Sequence, residues 1–251
     1  MTQRLYLIRH GETAWSLSGQ HTGTTDQVLT KHGEATAHAL GERLRRTVFD
    51  HVLVSPRSRA QRTCTLTALP ALATTELDLV EWDYGDYEGR RTSEIQHTTP
   101  KWSLFRDGCP HGEMPDQISQ RADRLIARLL HLSGNIALFT HGHFARALAA
   151  RWIGLPVGEG RHFFLSPASV SILGFEHRTD RVILQWNHLA GGIPERRRAS
   201  PVIDRAPAPP PAVDRWENEG GEIPQVYPLH RSLDQTTVAS PPPADRWPTA
   251  W

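Results

Sequence analysis

The sequence predicts an α/β fold, in which short buried strands alternate with helices. Leu5 to Ile8 and Ile136 to Phe139 are runs of four apolar residues, as expected of strands buried on both faces. A histidine and then a glycine follow closely after each run, and the chain between the two runs alternates between strand-like and helical patterns. Because open α/β sheets bind ligands at the carboxyl ends of their strands, the two histidines are predicted to meet at one edge of the sheet.

The first half of the chain predicts the order strand, helix, strand, helix. After the opening strand, Trp15 to Asp26 is rich in Ser, Gly, Thr and Gln, which predicts a polar loop over the site. Thr30 is a typical N-cap, and apolar residues at helical spacing continue from it to about Arg46. Val52 to Val54 predicts a short strand. The proline that follows predicts a second helix from about Pro56 through Leu69.

The second half predicts a loop, a flap, two helices and the last strands. Carboxylates alternate with aromatic residues and glycines from Glu81 to Gly89, which suits neither a helix nor a strand and predicts either a functional loop or a solvated turn. Residues 92–116 predict short helical pieces and a flap beside the site. The other expected elements are a continuation of the sheet or its exit at Leu77 to Val80, helices at Ile118 to Leu132 and about Phe144 to Ile153, and strands at Val170 to Phe175 and Val182 to Trp186.

Composition indicates a globular protein and limits its partners. The chain has 251 residues, of which 38% are hydrophobic and 22% charged, with a net charge of +1 and a pI near 8.0. This balance provides no overall basic field for nucleic acid, and no stretch approaches the ~20 apolar residues of a membrane helix. Two cysteines, Cys64 and Cys109, are too few for a disulfide framework and favour a reducing compartment. With no signal or transit segment at the N-terminus, a cytoplasmic protein is expected.

From Ile193 the composition changes to that of a Pro-rich tail. The last 59 residues hold 12 of the 19 prolines, so we expect a catalytic domain over residues 1–192 and a disordered tail over residues 193–251. Pro209 to Trp216 and Pro241 to Trp247 nearly repeat each other. They are either short docking motifs with a tryptophan anchor, for an unknown partner, or parts of an unselected tail.

Arg9, His10 and Gly11 suit the chemistry of phosphate. A guanidinium holds phosphate oxygens with two parallel hydrogen bonds, an imidazole can attack phosphorus, and glycine lets the backbone come close. The alternative is a surface Arg-His pair after a strand. Three arginines at positions 57, 59 and 62 begin the second helix, and at most one or two of them can point into a common site, the alternative being a solvated basic face.

His141, Gly142 and His143 repeat this arrangement at the end of a second strand. Two strand ends that each present a histidine followed by a glycine indicate a shared site more strongly than either does alone. The pair of histidines could instead bind zinc. No cluster of further Asp, Glu or Cys ligands stands near it in the sequence, and the neighbouring arginines would repel a divalent ion, so no metal site is predicted.

Four blocks occur in the order seen in the histidine phosphatase superfamily, also called phosphoglycerate-mutase-like. They are Arg9 to Thr13, Ser55 to Ala60 with Thr63, Glu81 to Gly89, and His141 to His143. The chain resembles this superfamily from residue 4 to about residue 190, and its loops resemble most the sedoheptulose bisphosphatase subgroup. The resemblance implies a three-layer α/β/α sandwich of the phosphoglycerate-mutase-like type.

The resemblance also implies roles for five residues. His10 would be the nucleophile that forms a phosphohistidine, with one ring N–H held by an acceptor, expected to be a backbone carbonyl, so that the other nitrogen is free to attack. Glu81 would be the general acid that protonates the leaving alkoxide, for which burial or the phosphate charge must keep it protonated. Arg9, Arg59 and His141 would surround the phosphoryl oxygens and remove the need for magnesium or another cofactor.

Further substrate contacts are implied less directly. Thr22 and Gly23 match positions where the family contacts substrate, and Gly142 belongs to the same set. Arg146 could reach a second phosphate, the alternative being an arginine on the helix surface. Asp83 is the rival to Glu81 as the acid, although it is expected to lie on the solvent side.

These observations predict a metal-independent phosphatase acting on a small phosphorylated metabolite such as a sugar bisphosphate. One alternative is a phosphoglycerate mutase, which would return the phosphate to the product, but the segment from Gly89 to Gly112 is short for a mutase insertion. The other is a non-enzymatic binding module that uses the Pro/Trp tail. Retention of both histidines, both arginines and the acid argues against that module.

Overall fold

A six-stranded mixed sheet forms the centre of the protein. The computed structural model describes residues 3–69 and 73–189, and the predicted tail lies outside them. The strand order is β3-β2-β4-β1-β5-β6, with parallel pairing from β3 through β1 and antiparallel pairing from β1 to β6. The strands are β1 (Arg4–Arg9), β2 (His51–Val54), β3 (Ala73–Thr75), β4 (Asn135–Thr140), β5 (Val170–Glu176) and β6 (Asp180–His188).

Seven α-helices and several 3-10 turns connect these strands within the described residues. The α-helices are α1 (Ala14–Ser18), α2 (Lys31–Leu44), α3 (Ser58–Leu66), α4 (Thr92–Thr98), α5 (Leu104–Asp107), α6 (Pro115–Leu129) and α7 (Gly142–Trp152). The predicted N-cap of α2 is confirmed, because the Thr30 hydroxyl accepts from the Gly33 N–H at 2.9 Å. Proline begins α6, where its missing N–H costs no hydrogen bond.

The alternation of side chains along the central strands produces three layers. Leu5 and Leu7 of β1 pack with α6 and α7 on one face of the sheet, through residues such as Leu125 and Leu148. Tyr6 and Ile8 face the opposite way and pack with α2 and α3. Successive side chains of a strand point to opposite faces, so a strand buried on both faces needs helices on both sides. The predicted α/β/α sandwich is confirmed.

The register of β1 and β4 brings the two histidine motifs together. Arg9 pairs with Thr140, and the His10 N–H donates to the Thr140 carbonyl at 3.0 Å. Because the two strands are parallel and end at the same level, the residues that follow them emerge side by side. His10 and His141 therefore occupy one edge of the sheet, as predicted.

Several predicted elements differ from the structure in type or in bounds, among them the helix predicted at Ile118 to Leu132, which spans Pro115–Leu129. Leu77–Leu79 is a 3-10 helix, so of the two alternatives for this stretch it is the exit from the sheet and not its continuation. The edge strand lies earlier, at Ala73–Thr75, and the Glu76 carboxylate accepts from the Asp78 N–H where the chain turns. The polar loop after the first motif contains a short helix, α1, which begins at a capping box between Thr13 and Ser16. The helix predicted through Leu69 ends at Leu66.

The structure also bears on two expectations from the sequence, that the chain has no membrane helix and that its cysteines form no disulfide framework. None of the helices in the described part of the chain has the length and apolar character needed to cross a bilayer. Cys64 and Cys109 are free thiols and both are buried. Burial raises the pKa of Cys64 to about 12, so this thiol is held in its neutral form.

Candidate active site

His10 is held as a neutral imidazole with one nitrogen available. Its Nδ1 lies 2.8 Å from the Gly11 carbonyl oxygen, which can only accept, so Nδ1 carries the proton and Nε2 keeps its lone pair. Burial lowers the pKa of His10 well below its usual value, and the positive charges of Arg59 and Arg9 lower it further. The backbone carbonyl expected to fix the tautomer is thus present, and the ring is in the form that a nucleophile needs.

His141 lies directly beside His10. The two ring centroids are 5.1 Å apart with the planes inclined at 62°. Arg59 Nε donates to Nδ1 of His141 at 3.2 Å, so Nε2 carries the proton and donates to the Ser55 hydroxyl at 2.7 Å. Burial, followed by the charge of Arg59, lowers the pKa of His141 well below its usual value. His141 is therefore neutral and its ring is fixed from both sides.

Arg9 and Gly142 form the wall next to His10. Arg9 is 5% exposed, and its guanidinium donates to the Leu165 carbonyl. A Cβ atom on Gly142 would lie only 3.2 Å from Cζ of Arg9, tighter than most van der Waals contacts. The glycine at the start of α7 thus lets the guanidinium approach the helix N-terminus closely.

Arg59 is fully buried behind the cavity and holds its rim. Its guanidinium donates to the carbonyls of Thr22, Gly23 and Thr25 at 2.8, 3.1 and 3.0 Å. Burial lowers the pKa of Arg59, while the charge of Glu81 opposes that shift. These hydrogen bonds fix the loop that carries Thr22. Arg59 also orients the imidazole of His141 by donating to it.

Glu81 is clamped at the N-terminus of α7. Its Oε1 accepts from the N–H groups of Phe144 and Trp82 at 2.7 and 3.0 Å, and its Oε2 accepts from the His143 N–H at 3.0 Å. Glu81 is 6% exposed. By contrast, Asp83 accepts from the Gly85 N–H and does not line the cavity, which favours Glu81 over its rival as the acid.

These groups meet at one cavity. Its described lining is Arg9, His10, Ser16, Gly19, Gln20, His21, Thr22, Glu81, Tyr84, Gly142 and His143. Of the predicted site residues, five line the cavity, namely Arg9, His10, Thr22, Glu81 and Gly142. Arg59 and His141 are buried immediately behind that wall.

Two predicted contacts are placed elsewhere. Arg146 donates to the carbonyls of Gly160 and Arg161 at 3.0 and 2.8 Å and lies over the Phe105 ring, so it is neither a cavity residue nor the helix-surface arginine of the alternative interpretation. It is 2% exposed. The Gly23 N–H donates to the Glu88 carboxylate rather than into the cavity.

Three further rings line the cavity, those of His21, Tyr84 and His143, and sequence reasoning did not predict them as site residues. The Tyr84 hydroxyl lies 2.6 Å from Nδ1 of His143, and His21 stacks on Tyr84 with ring centroids 4.6 Å apart. Burial lowers the pKa of His21 to about 3, so this imidazole is neutral. The mixed composition of the Glu81 to Gly89 loop was compatible with a functional role, but it did not reveal which of its rings lines the cavity.

The two histidines of the zinc alternative contact other side chains. Both ring nitrogens of His141 are hydrogen-bonded to other side chains, and His143 meets Tyr84. Within residues 3–69 and 73–189, no group of three or more His, Cys, Asp or Glu side chains is arranged to hold a metal ion.

Comparison with known proteins decides the family. The model of the histidine phosphatase superfamily, branch 1, matches residues 5–188. The chain belongs to the histidine phosphatase superfamily. The resemblance noted from the motifs is thereby confirmed, and so is the prediction that this histidine phosphatase is a phosphoric monoester hydrolase.

Relatives and solved structures agree with this assignment. An acid phosphatase from Mycobacterium tuberculosis is 46% identical over 178 residues, covering 69% of this chain and 87% of that protein. The sedoheptulose 1,7-bisphosphatase of Saccharomyces cerevisiae is 37% identical over 189 residues, covering 62% of this chain and 70% of the relative. A solved structure of an open reading frame from Mycobacterium tuberculosis is 41% identical, with a TM-score of 0.72 and coverage of 75% of this chain and 98% of its own.

Proposed function

We propose that this histidine phosphatase hydrolyses a small phosphorylated metabolite through a phosphohistidine on His10. The observation that carries the proposal is the ring of His10, which is neutral, protonated on Nδ1 toward Gly11 and unprotonated on the nitrogen available for attack. It lies in a cavity that also contains Arg9 and the buried carboxyl of Glu81.

In the first step Nε2 of His10 attacks phosphorus. A P–N bond forms while the bond from phosphorus to the leaving oxygen breaks, and the electron pair of that bond stays with the oxygen. Once the substrate is bound, the negative charge of its phosphate beside Glu81 favours the protonated carboxyl, which gives its proton to this oxygen, so the alcohol leaves neutral. Arg9, which lines the same cavity, stabilises the negative charge of the phosphoryl oxygens.

In the second step water attacks the phosphohistidine. Glu81, now a carboxylate, takes a proton from the water, the P–N bond breaks, and its electron pair returns to Nε2 of His10. Inorganic phosphate leaves, and both residues regain their starting forms. Because Nδ1 stays bonded to the Gly11 carbonyl throughout, the ring keeps one orientation for both steps.

Arg59 and His141, which are buried behind the residues that line the cavity, help to bind the phosphoryl group of the substrate. Their side chains are fully buried, and Arg59 donates to the Thr22 carbonyl and to Nδ1 of His141. We propose that they fix the wall in the substrate-free enzyme and add donors to the phosphoryl oxygens when phosphate binds. This set of positive and hydrogen-bonding groups supports catalysis without a metal ion.

The charge of the cavity favours a leaving group with no second phosphate. Arg9 is the one arginine among the described lining residues, and the wall away from His10 carries hydroxyl, amide and imidazole groups, including Ser16 and Gln20. A sugar bisphosphate would need a further cation, and Arg146, the residue considered for that role, binds carbonyl groups instead. We therefore favour a phosphorylated sugar or polyol with an uncharged remainder.

Two variants test the mechanism, with a chelator present throughout to exclude metal-assisted hydrolysis. His10→Ala should abolish turnover of every phosphomonoester. Glu81→Gln should slow alkyl phosphates much more than an aryl phosphate, because a phenolate leaves without a proton. Activity that survives His10→Ala would refute the phosphohistidine, and equal losses on both substrates would refute Glu81 as the acid.

A substrate panel separates the remaining alternatives. Sugar monophosphates, sugar bisphosphates and phosphoglycerates should be compared by the release of inorganic phosphate. A mutase would convert 3-phosphoglycerate to its isomer with little phosphate released, whereas the proposed hydrolase releases phosphate. A non-enzymatic binding module would turn over none of them. A cytoplasmic location is also a proposal, based on the scarcity of cysteine.

A further inference from the structure

Arg121 on α6 is a buried charged residue that does not line the cavity. It contacts Glu81 and the residues just before it in the chain. Its side chain donates to the Glu113 carboxylate from Nε at 2.9 Å and from Nη2 at 2.7 Å. It also donates to the backbone carbonyls of Asp78, Val80 and Glu81 at 3.0, 2.7 and 3.2 Å. Five contacts match the five N–H donors of a guanidinium, so the group is fixed in one orientation.

Glu113 binds the two residues that follow Glu81, namely Trp82 and Asp83. Its Oε2 accepts from the Asp83 N–H at 2.9 Å, and its own N–H donates to the Asp83 carbonyl at 2.8 Å. Its carbonyl accepts from the Trp82 indole N–H at 2.8 Å. The backbone is therefore held both before and after Glu81.

Arg121 also contacts the residue that binds the carboxyl of the acid. Its guanidinium lies over the Phe144 ring, 4.2 Å from the centroid. The N–H of Phe144 donates to Oε1 of Glu81 at 2.7 Å. One cation thus contacts the backbone of Glu81 and the ring of the residue whose N–H fixes its carboxyl.

We propose that Arg121, oriented by Glu113, is the positioning residue for the proton donor Glu81. A buried ion pair is weak evidence for stability, since packed apolar residues of similar volume would often serve as well. An apolar side chain could not replace the guanidinium here. The guanidinium donates to the backbone carbonyls of Asp78, Val80 and Glu81, and these contacts fix the orientation of the acid. The inference rests on the proposed role of Glu81.

The test compares substrates that need the acid with one that does not. Arg121→Lys keeps the charge but cannot make the five contacts, and Glu113→Gln keeps the shape but weakens the pair. Arg124→Gln is the matched control, since Arg124 lies on the same helix, its side chain is 57% exposed, and it donates to the Asp78 carboxylate at 3.2 Å. For both test variants we expect kcat on an alkyl phosphate to fall about tenfold, with less than about a twofold change on 4-nitrophenyl phosphate. Arg124→Gln should change neither.

The outcomes distinguish this inference from the proposed function. If Glu81→Gln shows the selective loss and neither Arg121→Lys nor Glu113→Gln does, the positioning role is wrong while the acid stands. Equal losses on both substrates, or failure of both variants to fold, would show a structural role and overturn the inference. Adding Arg121→Lys to Glu81→Gln should cause no further loss on the alkyl phosphate, and an additive loss would contradict a role exerted through the acid.

Discussion

Acid should destabilise the protein through His21, and the size of the effect follows from its burial. The side chain is 3% exposed, and its pKa falls from 6.5 to about 3 in the folded state. Because the unfolded chain binds the proton more readily, stability is complete above pH 6.5 and decreases as the pH falls from 6.5 toward 3. Between pH 7 and pH 4.5 His21 alone should lower the free energy of unfolding by about 2.5 kcal/mol.

The replacement His21→Phe isolates this contribution. Phenylalanine can keep the ring stacked on Tyr84 and cannot take up a proton, although it loses the contact with the Thr92 hydroxyl. That loss is present at both pH values, so it cancels in the difference. Urea denaturation followed by tryptophan fluorescence at pH 7 and pH 4.5 should show a smaller pH dependence in the variant, by about 2.5 kcal/mol. The same pH dependence in both proteins would refute the reasoning.

Three other predictions concern the nucleophile and its neighbours. Because His10 is neutral well below pH 6.5, kcat/KM for an aryl phosphate should show no acidic limb near pH 6.5 in a pH-rate profile. Gly142→Ala should reduce kcat/KM roughly tenfold, since its Cβ would displace Arg9. Thr63→Val should lower the free energy of unfolding by about 1–3 kcal/mol in urea denaturation, because the Thr63 hydroxyl accepts the N–H that follows His10. Thr65→Val, on the exposed face of the same helix, should cost less than about 0.5 kcal/mol.

Each of these predictions has a clear contrary result. An acidic limb at pH 6.5 would mean that the burial of His10 does not keep it neutral in the working enzyme. Gly158→Ala is the control for Gly142→Ala, because a Cβ there meets only an ordinary contact at 3.6 Å. Equal activity in Gly142→Ala and Gly158→Ala, or equal stability in Thr63→Val and Thr65→Val, would contradict the corresponding argument.

The strands and helices that carry the site could be predicted, because apolar runs and helix caps are recognisable within a few residues of sequence. The apolar run of Leu5 to Ile8 and the N-cap at Thr30 each signal an element within a few residues of sequence. Parallel pairing then places the ends of β1 and β4 together, so the meeting of His10 and His141 also followed from the sequence.

The direction of long side chains could not be predicted in the same way. Arg146 is one turn beyond the second histidine motif, and spacing alone allowed it to reach either a phosphate or solvent. In the structure it turns instead to the carbonyls of Gly160 and Arg161, which belong to a later segment. Arg121 and Glu113 gave no signal, because their partners lie far away along the chain. Arg121 donates to the Glu81 carbonyl, 40 residues away, and Glu113 accepts from the Asp83 N–H, 30 residues away.

The most direct test of the account is the isolation of the phosphoenzyme. The protein should be mixed with an aryl phosphate, quenched in base within one turnover, digested and analysed by mass spectrometry. The account predicts one phosphoryl group on the peptide that contains His10, and none in the His10→Ala variant. Turnover without any trapped phosphoenzyme, or a phosphoryl group on the peptide that contains His141, would contradict it.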